Sequence, residues 1–148
     1  MMIEVKNILL VEDNPNDVEM TLEALGKSNL ANHVEVARDG EEALDYLYRR
    51  GKFAGRSNGP PVVVILDLKL PKVTGLEVLA TIRADNRFRL QPVVILTSSR
   101  EEPDLVEAYR LGVNAYVVKP VVFNDFLEAV QGLGVFWALL NEAPPLKK

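Results

Sequence analysis

The sequence predicts an α/β fold in which five parallel strands form one sheet with helices on both faces. Three observations carry it. Short apolar runs alternate along the chain with segments whose apolar residues recur every three or four positions, the pattern of strands joined by crossover helices. Residues 8–11, 62–66 and 93–96 are wholly apolar, as strands covered on both faces are. These runs, and one at 115–118, end directly on Glu12, Asp67, Thr97 and Lys119. The carboxyl ends of the strands are where an open parallel sheet gathers its reactive groups.

Taken in order, strand 8–11 is followed by Glu12-Asp13-Asn14-Pro15, with Asn14 suited to cap a helix that has Pro15 at its first position. Val18, Leu22 and Leu25 give that helix its inward spacing, and Gly26 ends it. Residues 33–37 alternate apolar with polar, which predicts a half-exposed edge strand. Asp39 caps the next helix, with Ala43, Leu44 and Leu47 inward. Residues 51–61, flanked by Arg49 and Arg50, hold three glycines and two prolines and read as a long, basic, solvated loop.

Strand 62–66 then delivers Asp67, expected to meet water, ahead of Leu68-Lys69-Leu70-Pro71 and Gly75. Leu76, Leu79 and Ile82 mark a third helix, and strand 93–96 leads into Thr97-Ser98-Ser99. Pro103 opens a fourth helix carrying Leu105, Val106 and Tyr109, which Gly112 ends. Strand 115–118 closes with Lys119-Pro120, and a last helix runs from about 123 to 140 before Pro144-Pro145. The wholly apolar strands belong at the centre, in the flavodoxin-like order 2-1-3-4-5.

Composition narrows the function. The 148 residues fit one domain, with a core over about 6–141 and short tails. A net charge of −4 with no Lys/Arg-rich block argues against nucleic acid as a partner. The absence of cysteine excludes disulfides, thiol catalysis and cysteine-ligated zinc. Residues 1–7 are too short and polar for a signal peptide, and no apolar stretch is long enough to span a bilayer. The expected location is therefore cytoplasmic, with no membrane partner.

In the predicted order one edge of the sheet collects Glu12, Asp13, Asp67, Thr97 and Lys119. Singly, each has an ordinary reading: Asp67 as a loop residue, Glu12 and Asp13 as acids near a helix N-terminus, Lys119 as a solvated turn. Together they call for a cation, since two carboxylates about 5 Å apart repel by roughly 3 kcal/mol at an effective dielectric near 20. Hard oxygen ligands with no histidine or cysteine nearby favour Mg2+, and Mn2+ could substitute. A carboxylate beside such an ion can attack phosphorus. Lys119 and the Thr97 hydroxyl would then each hold a phosphoryl oxygen.

Glu12-Asp13, the Asp67 segment through Pro71 and Gly75, Thr97, and Lys119-Pro120 together resemble the receiver domain of two-component response regulators (CheY-like) across nearly the whole chain. The resemblance implies that Asp67 accepts a phosphoryl group from a histidine kinase, and that the chain is a signalling protein rather than an enzyme. It implies that Asp13, Asp67 and the Lys69 backbone carbonyl bind Mg2+, that Glu12 acts largely through water, and that a cis peptide precedes Pro120. Tyr116 matches the family's switch aromatic, which turns with the Thr97 hydroxyl. Lys69 departs from the family's usual uncharged residue, and Ser98 stands where alanine or glycine is common.

Few residues follow the last helix, so the expected output is protein–protein contact with a downstream target rather than an attached domain. Residues 133–140 contain no polar side chain, whereas a surface helix shows a single apolar stripe. Phe136, Trp137 and Leu140 are therefore read as a partner surface, with a homodimer favoured. The basic loop, the Asp67-Leu68-Lys69-Leu70-Pro71 stretch and the aromatic C-terminal helix resemble single-domain receivers that partner bacterial phytochrome kinases. The rival reading is a phosphorylation-independent dimeric adapter of the same fold.

Overall fold

The computed structural model describes residues 7–26, 33–57, 59–98 and 101–119. The predicted helix 123–140, Pro120 and its peptide bond, and Phe136, Trp137 and Leu140 lie outside the described residues. Five strands, β1 (Asn7–Val11), β2 (His33–Ala37), β3 (Val63–Leu66), β4 (Val93–Thr97) and β5 (Ala115–Val118), alternate with α1 (Pro15–Gly26), α2 (Gly40–Tyr48), α3 (Gly75–Ala84) and α4 (Glu102–Arg110). The strands form one parallel sheet in the order β2-β1-β3-β4-β5, as expected from the apolar runs.

Side chains alternate across the pleat, and this divides the core between the two faces. Leu9, Val11, Val64, Leu66, Val93 and Ile95 pack with Ala43 and Leu47 of α2, Val78, Leu79 and Ile82 of α3, and Ala108 of α4. Ile8, Leu10, Val63, Ile65, Val94, Leu96, Ala115 and Val117 pack with Val18 and Leu25 of α1. The edge position of β2 matches its partial exposure. His33 lies exposed at the start of β2, in register with Asn7 and thus at the opposite end of the sheet from Glu12.

Caps fix where the helices begin. The Asn14 side-chain oxygen accepts from the amides of Asn16 and Asp17 at 2.9 and 3.2 Å, and Asp39 accepts from Glu42 at 2.7 Å. Thr74 and Glu77 form a reciprocal capping box at the start of α3. Among the described residues, no helix is long and apolar enough to cross a membrane.

Three local expectations change. Leu22 is exposed, and Thr21 takes the buried position between Val18 and Leu25. A helix turn of 3.6 residues allows a 3-residue step as readily as a 4-residue one, and here the shorter step faces the sheet. The basic loop is partly packed: Gly51–Phe53 forms a 3-10 turn, and the Phe53 ring meets Tyr46 edge-on at 5.0 Å. Arg56 lies 4.0 Å over the Tyr46 ring and donates to the Tyr46 carbonyl. Asp67 is buried, at 6% exposure, instead of meeting water. The chain after it folds back, with the Gly75 amide donating to the Leu68 carbonyl at 3.1 Å.

That fold-back depends on Gly75. A Cβ there would stand 2.2 Å from the Asp67 carbonyl oxygen and 2.6 Å from Leu68 Cα, backbone atoms that cannot swing aside. Gly75→Ala is expected to destabilise the chain by about 1–3 kcal/mol through this overpacking. Gly55→Ala, with nothing within 4 Å of the added carbon, is expected to leave stability near wild type. Urea unfolding of the two variants checks the contrast.

Candidate functional site

Four neighbouring strands deliver the site to one edge. Glu12 follows β1, Asp67 follows β3, Thr97 ends β4 and Lys119 follows β5. The backbone locks these ends together: the Glu12 amide donates to Ala37, the Asp67 amide to Val11, and the Lys119 amide to Thr97, at 2.8–3.1 Å. Glu12, Asp67 and Lys119 each stand one step beyond a strand, and Thr97 is the last residue of its own. Their positions are set by the sheet rather than by loop conformation.

The Lys119 ammonium stands at the centre. Nζ donates to Glu12 Oε1 at 2.5 Å, to Asp17 Oδ2 at 2.9 Å and to Asp67 Oδ2 at 2.9 Å. The Lys69 amide donates to Asp67 Oδ1 at 3.1 Å, and the Thr97 side chain also favours the charged form of that carboxyl. Glu12 Oε2 accepts from the Asn14 amide at 3.3 Å. Glu12, Asp67 and Thr97 are buried, and the Lys119 side chain keeps only 11% of its exposure. Asp13 is exposed, yet it brings a carboxylate oxygen within 4.8 Å of oxygens from Glu12 and Asp67.

Burial and charge act differently on the two enclosed acids. For Glu12 burial dominates, and with the negative charge of Asp67 it raises the pKa to about 7 despite Lys119. For Asp67 burial also pushes upward, but the Lys119 ammonium, the Lys69 amide and Thr97 outweigh it and hold the carboxyl below its ordinary range. Burial pulls Lys119 downward, while Glu12, Asp17 and Asp67 more than reverse this and keep it protonated. Asp67 is therefore an ionised, oriented, buried carboxylate.

The structure brings Glu12, Asp13, Asp67, Thr97 and Lys119 together as expected. Lys69 takes part through its amide, and its side chain is exposed. Tyr116 is half-buried on β5, packed on the core shared with α2 and α3. Asp17 was not anticipated from the sequence. In sequence it is an acid in the first turn of a helix, a common placement; its partner lies 102 positions away.

The donor chemistry fits a divalent ion. Glu12, Asp13 and Asp67 offer three hard oxygens, and no described histidine or cysteine joins them. Their mutual repulsion gives a direct test. Asp13→Asn is expected to raise the unfolding midpoint in the presence of a chelator, because one crowded charge is gone. The same variant is expected to gain less from added Mg2+, with affinity lowered at least about tenfold, the factor that loss of even a ligand's supporting partner can cost. Thermal melts with chelator and with Mg2+ read both effects.

Comparisons with known proteins agree with this geometry. The family model described as "Response regulator receiver domain" matches residues 8–131. The solved structure of the bacteriophytochrome response regulator AtBRR is 65% identical, superposes with a TM-score of 0.85, and covers 95% of this chain and 100% of that one. Probable methanogenesis regulatory protein FilR2 of Methanothrix harundinacea is 42% identical over 137 residues, 93% of this chain and 86% of its own length. Response regulator Rcp1 of Synechocystis sp. is 39% identical over 133 residues, 89% of this chain and 88% of its own. The Mn(2+)-bound crystal form of Rcp1 superposes with a TM-score of 0.76 at 37% identity, covering 95% of this chain and 99% of that one.

Proposed function

The chain belongs to the response regulator receiver domain family, and on that premise we propose that Asp67 accepts a phosphoryl group from a sensor histidine kinase. One observation carries the assignment: Lys119, from another strand end, donates to the Asp67 carboxylate at 2.9 Å, while Thr97 from a third helps to keep that carboxyl ionised. An Asp67 oxygen forms the new O–P bond as the donor's P–N bond breaks, and the electron pair leaves with the donor imidazole. Lys119 and the Thr97 hydroxyl then turn from the carboxylate to the phosphoryl oxygens, whose spread charge they neutralise. Thr97 is thereby drawn outward, which gives the half-buried Tyr116 its proposed switch role.

Mg2+, or Mn2+ in its place, would be held by Glu12, Asp13, Asp67 and the Lys69 carbonyl, and would supply charge to the third phosphoryl oxygen. Glu12 belongs to this set through its place in the cluster; with one oxygen already taken by Lys119, it would act on the ion largely through water. The chain acts as a phosphoacceptor in signalling rather than as an enzyme on a separate substrate. A kinase of the bacteriophytochrome class is the proposed donor, supported by the 65% identity to AtBRR. Exchange takes place in the cytoplasm, and output is contact with a downstream protein target.

Two outcomes test this reading. A small acyl phosphate is expected to label the wild-type chain only with Mg2+ present, and Asp67→Asn to take no label, as intact-protein mass spectrometry can show. Label persisting in Asp67→Asn would place the acceptor elsewhere. The proposed homodimer rests on the apolar sequence of Phe136, Trp137 and Leu140. Phe136→Glu is expected to halve the solution mass measured by light scattering.

A further inference from the structure

Asp17 has no assigned part in the chemistry, yet it takes one of three hydrogen bonds made by the Lys119 ammonium. We propose that Asp17 is a positioning residue: it holds Lys119 over the reaction site while the other two partners of the ammonium change. This inference rests on the reading of Asp67 as the phosphoacceptor.

A lysine ammonium has three donors, and in this structure they go to Glu12, Asp17 and Asp67. Two of these acceptors are committed elsewhere in the proposed reaction. Phosphorylated Asp67, an acyl phosphate, carries its negative charge on the phosphoryl oxygens, and the donor that faced the carboxylate must follow. Glu12 belongs to the group of three carboxylates able to share a divalent ion. Asp17 does not belong to that group, and Lys119 is its side chain's partner. By count, then, one donor reaches the phosphoryl oxygen while another stays anchored on Asp17.

The anchor itself is firmly placed. Asp17 lies in the first turn of α1, where its amide donates to the capping oxygen of Asn14 at 3.2 Å. The Asn14 amide in turn donates to Glu12, so Asn14 ties Asp17 back to the end of β1. The positive end of α1 favours a carboxylate there. Asp17 also closes the outer side of the ammonium, its side chain 32% exposed against 11% for Lys119. An unanchored lysine would have to be ordered anew at each phosphorylation, which costs side-chain freedom and weakens binding of the phosphoryl group.

The full chain is tested as wild type, Asp17→Ala and Asp17→Asn. Beryllium trifluoride with Mg2+ serves as the phosphoryl probe, and Mg2+ alone as the control. Asp17→Ala is expected to bind the probe about tenfold more weakly, with Mg2+ affinity unchanged. Asp17→Asn, which keeps an oxygen able to accept from the ammonium, is expected to bind the probe nearly as wild type does. The Lys119 ammonium resonance in 15N-lysine spectra should exchange faster with water in Asp17→Ala, and recover in Asp17→Asn. Equal probe affinity in wild type and Asp17→Ala overturns the proposal, as does equal loss in both variants, which would make charge rather than position the operative property. A wild-type chain that takes no probe sinks the phosphoacceptor reading itself, and the Lys119 resonance still shows whether Asp17 holds the ammonium.

Discussion

A single ammonium joins the last strand to the first and third. Lys119 reaches Glu12, Asp17 and Asp67 from the end of β5, and these contacts span 52 to 107 positions of sequence. A buried ion pair is weak as a source of net stability, because removing charges from water costs about as much as the pairing returns. Its effect here is geometric. With the ammonium bonded to three carboxylates, the ends of β1, β3 and β5 share one point, and the sheet's register determines which oxygen atoms meet there.

The rest of the fold supports that convergence. β1 and β3 are adjacent in the sheet, paired from Ile8 with Val63 to Val11 with Leu66. Glu12 and Asp67 therefore emerge side by side. β4 and β5 extend the same edge and add Thr97 and Lys119. Close approach of the α3 segment, possible only with glycine at position 75, folds residues 68–75 back over Asp67. Gly40 does the same for α2, where a Cβ would stand 2.1 Å from the Val73 carbonyl oxygen. Two backbone contacts without side chains thus fix the loop that follows Asp67.

The sheet and most of the site were legible because both depend on local patterns. Unbroken apolar runs mark central strands, the alternating run at 33–37 marks the edge, and polar residues directly after such runs must share the carboxyl side. What escaped reading depends on contacts distant in sequence. Asp17 resembles any first-turn acid until Lys119 is beside it. Thr21 and Leu22 are both compatible with helical spacing, and only packing decides that Thr21 is inside. Arg56 reads as a solvated loop cation, while its stacking on Tyr46 requires the loop to fold back onto α2. The burial of Asp67 likewise comes from groups supplied by other strands and by the fold-back at Gly75, not from its own neighbours in the run.

Two buried carboxylates on the same ammonium are driven in opposite directions, and this separates their roles. Asp67 has Lys119, an amide and a hydroxyl arranged around its oxygens, so the charged form is favoured in spite of burial. Glu12 is as enclosed but receives fewer bonds, and the neighbouring negative charge of Asp67 works against its ionisation. Neither difference resides in the side chains, which are chemically alike. It follows from where each strand ends relative to Thr97, the Lys69 amide and Lys119. A buried carboxylate kept ionised, with its hydrogen-bond donors already aligned, needs little reorganisation to react as the charged form. The placement of four strand ends therefore accounts for the site's chemistry more directly than any one of its residues does.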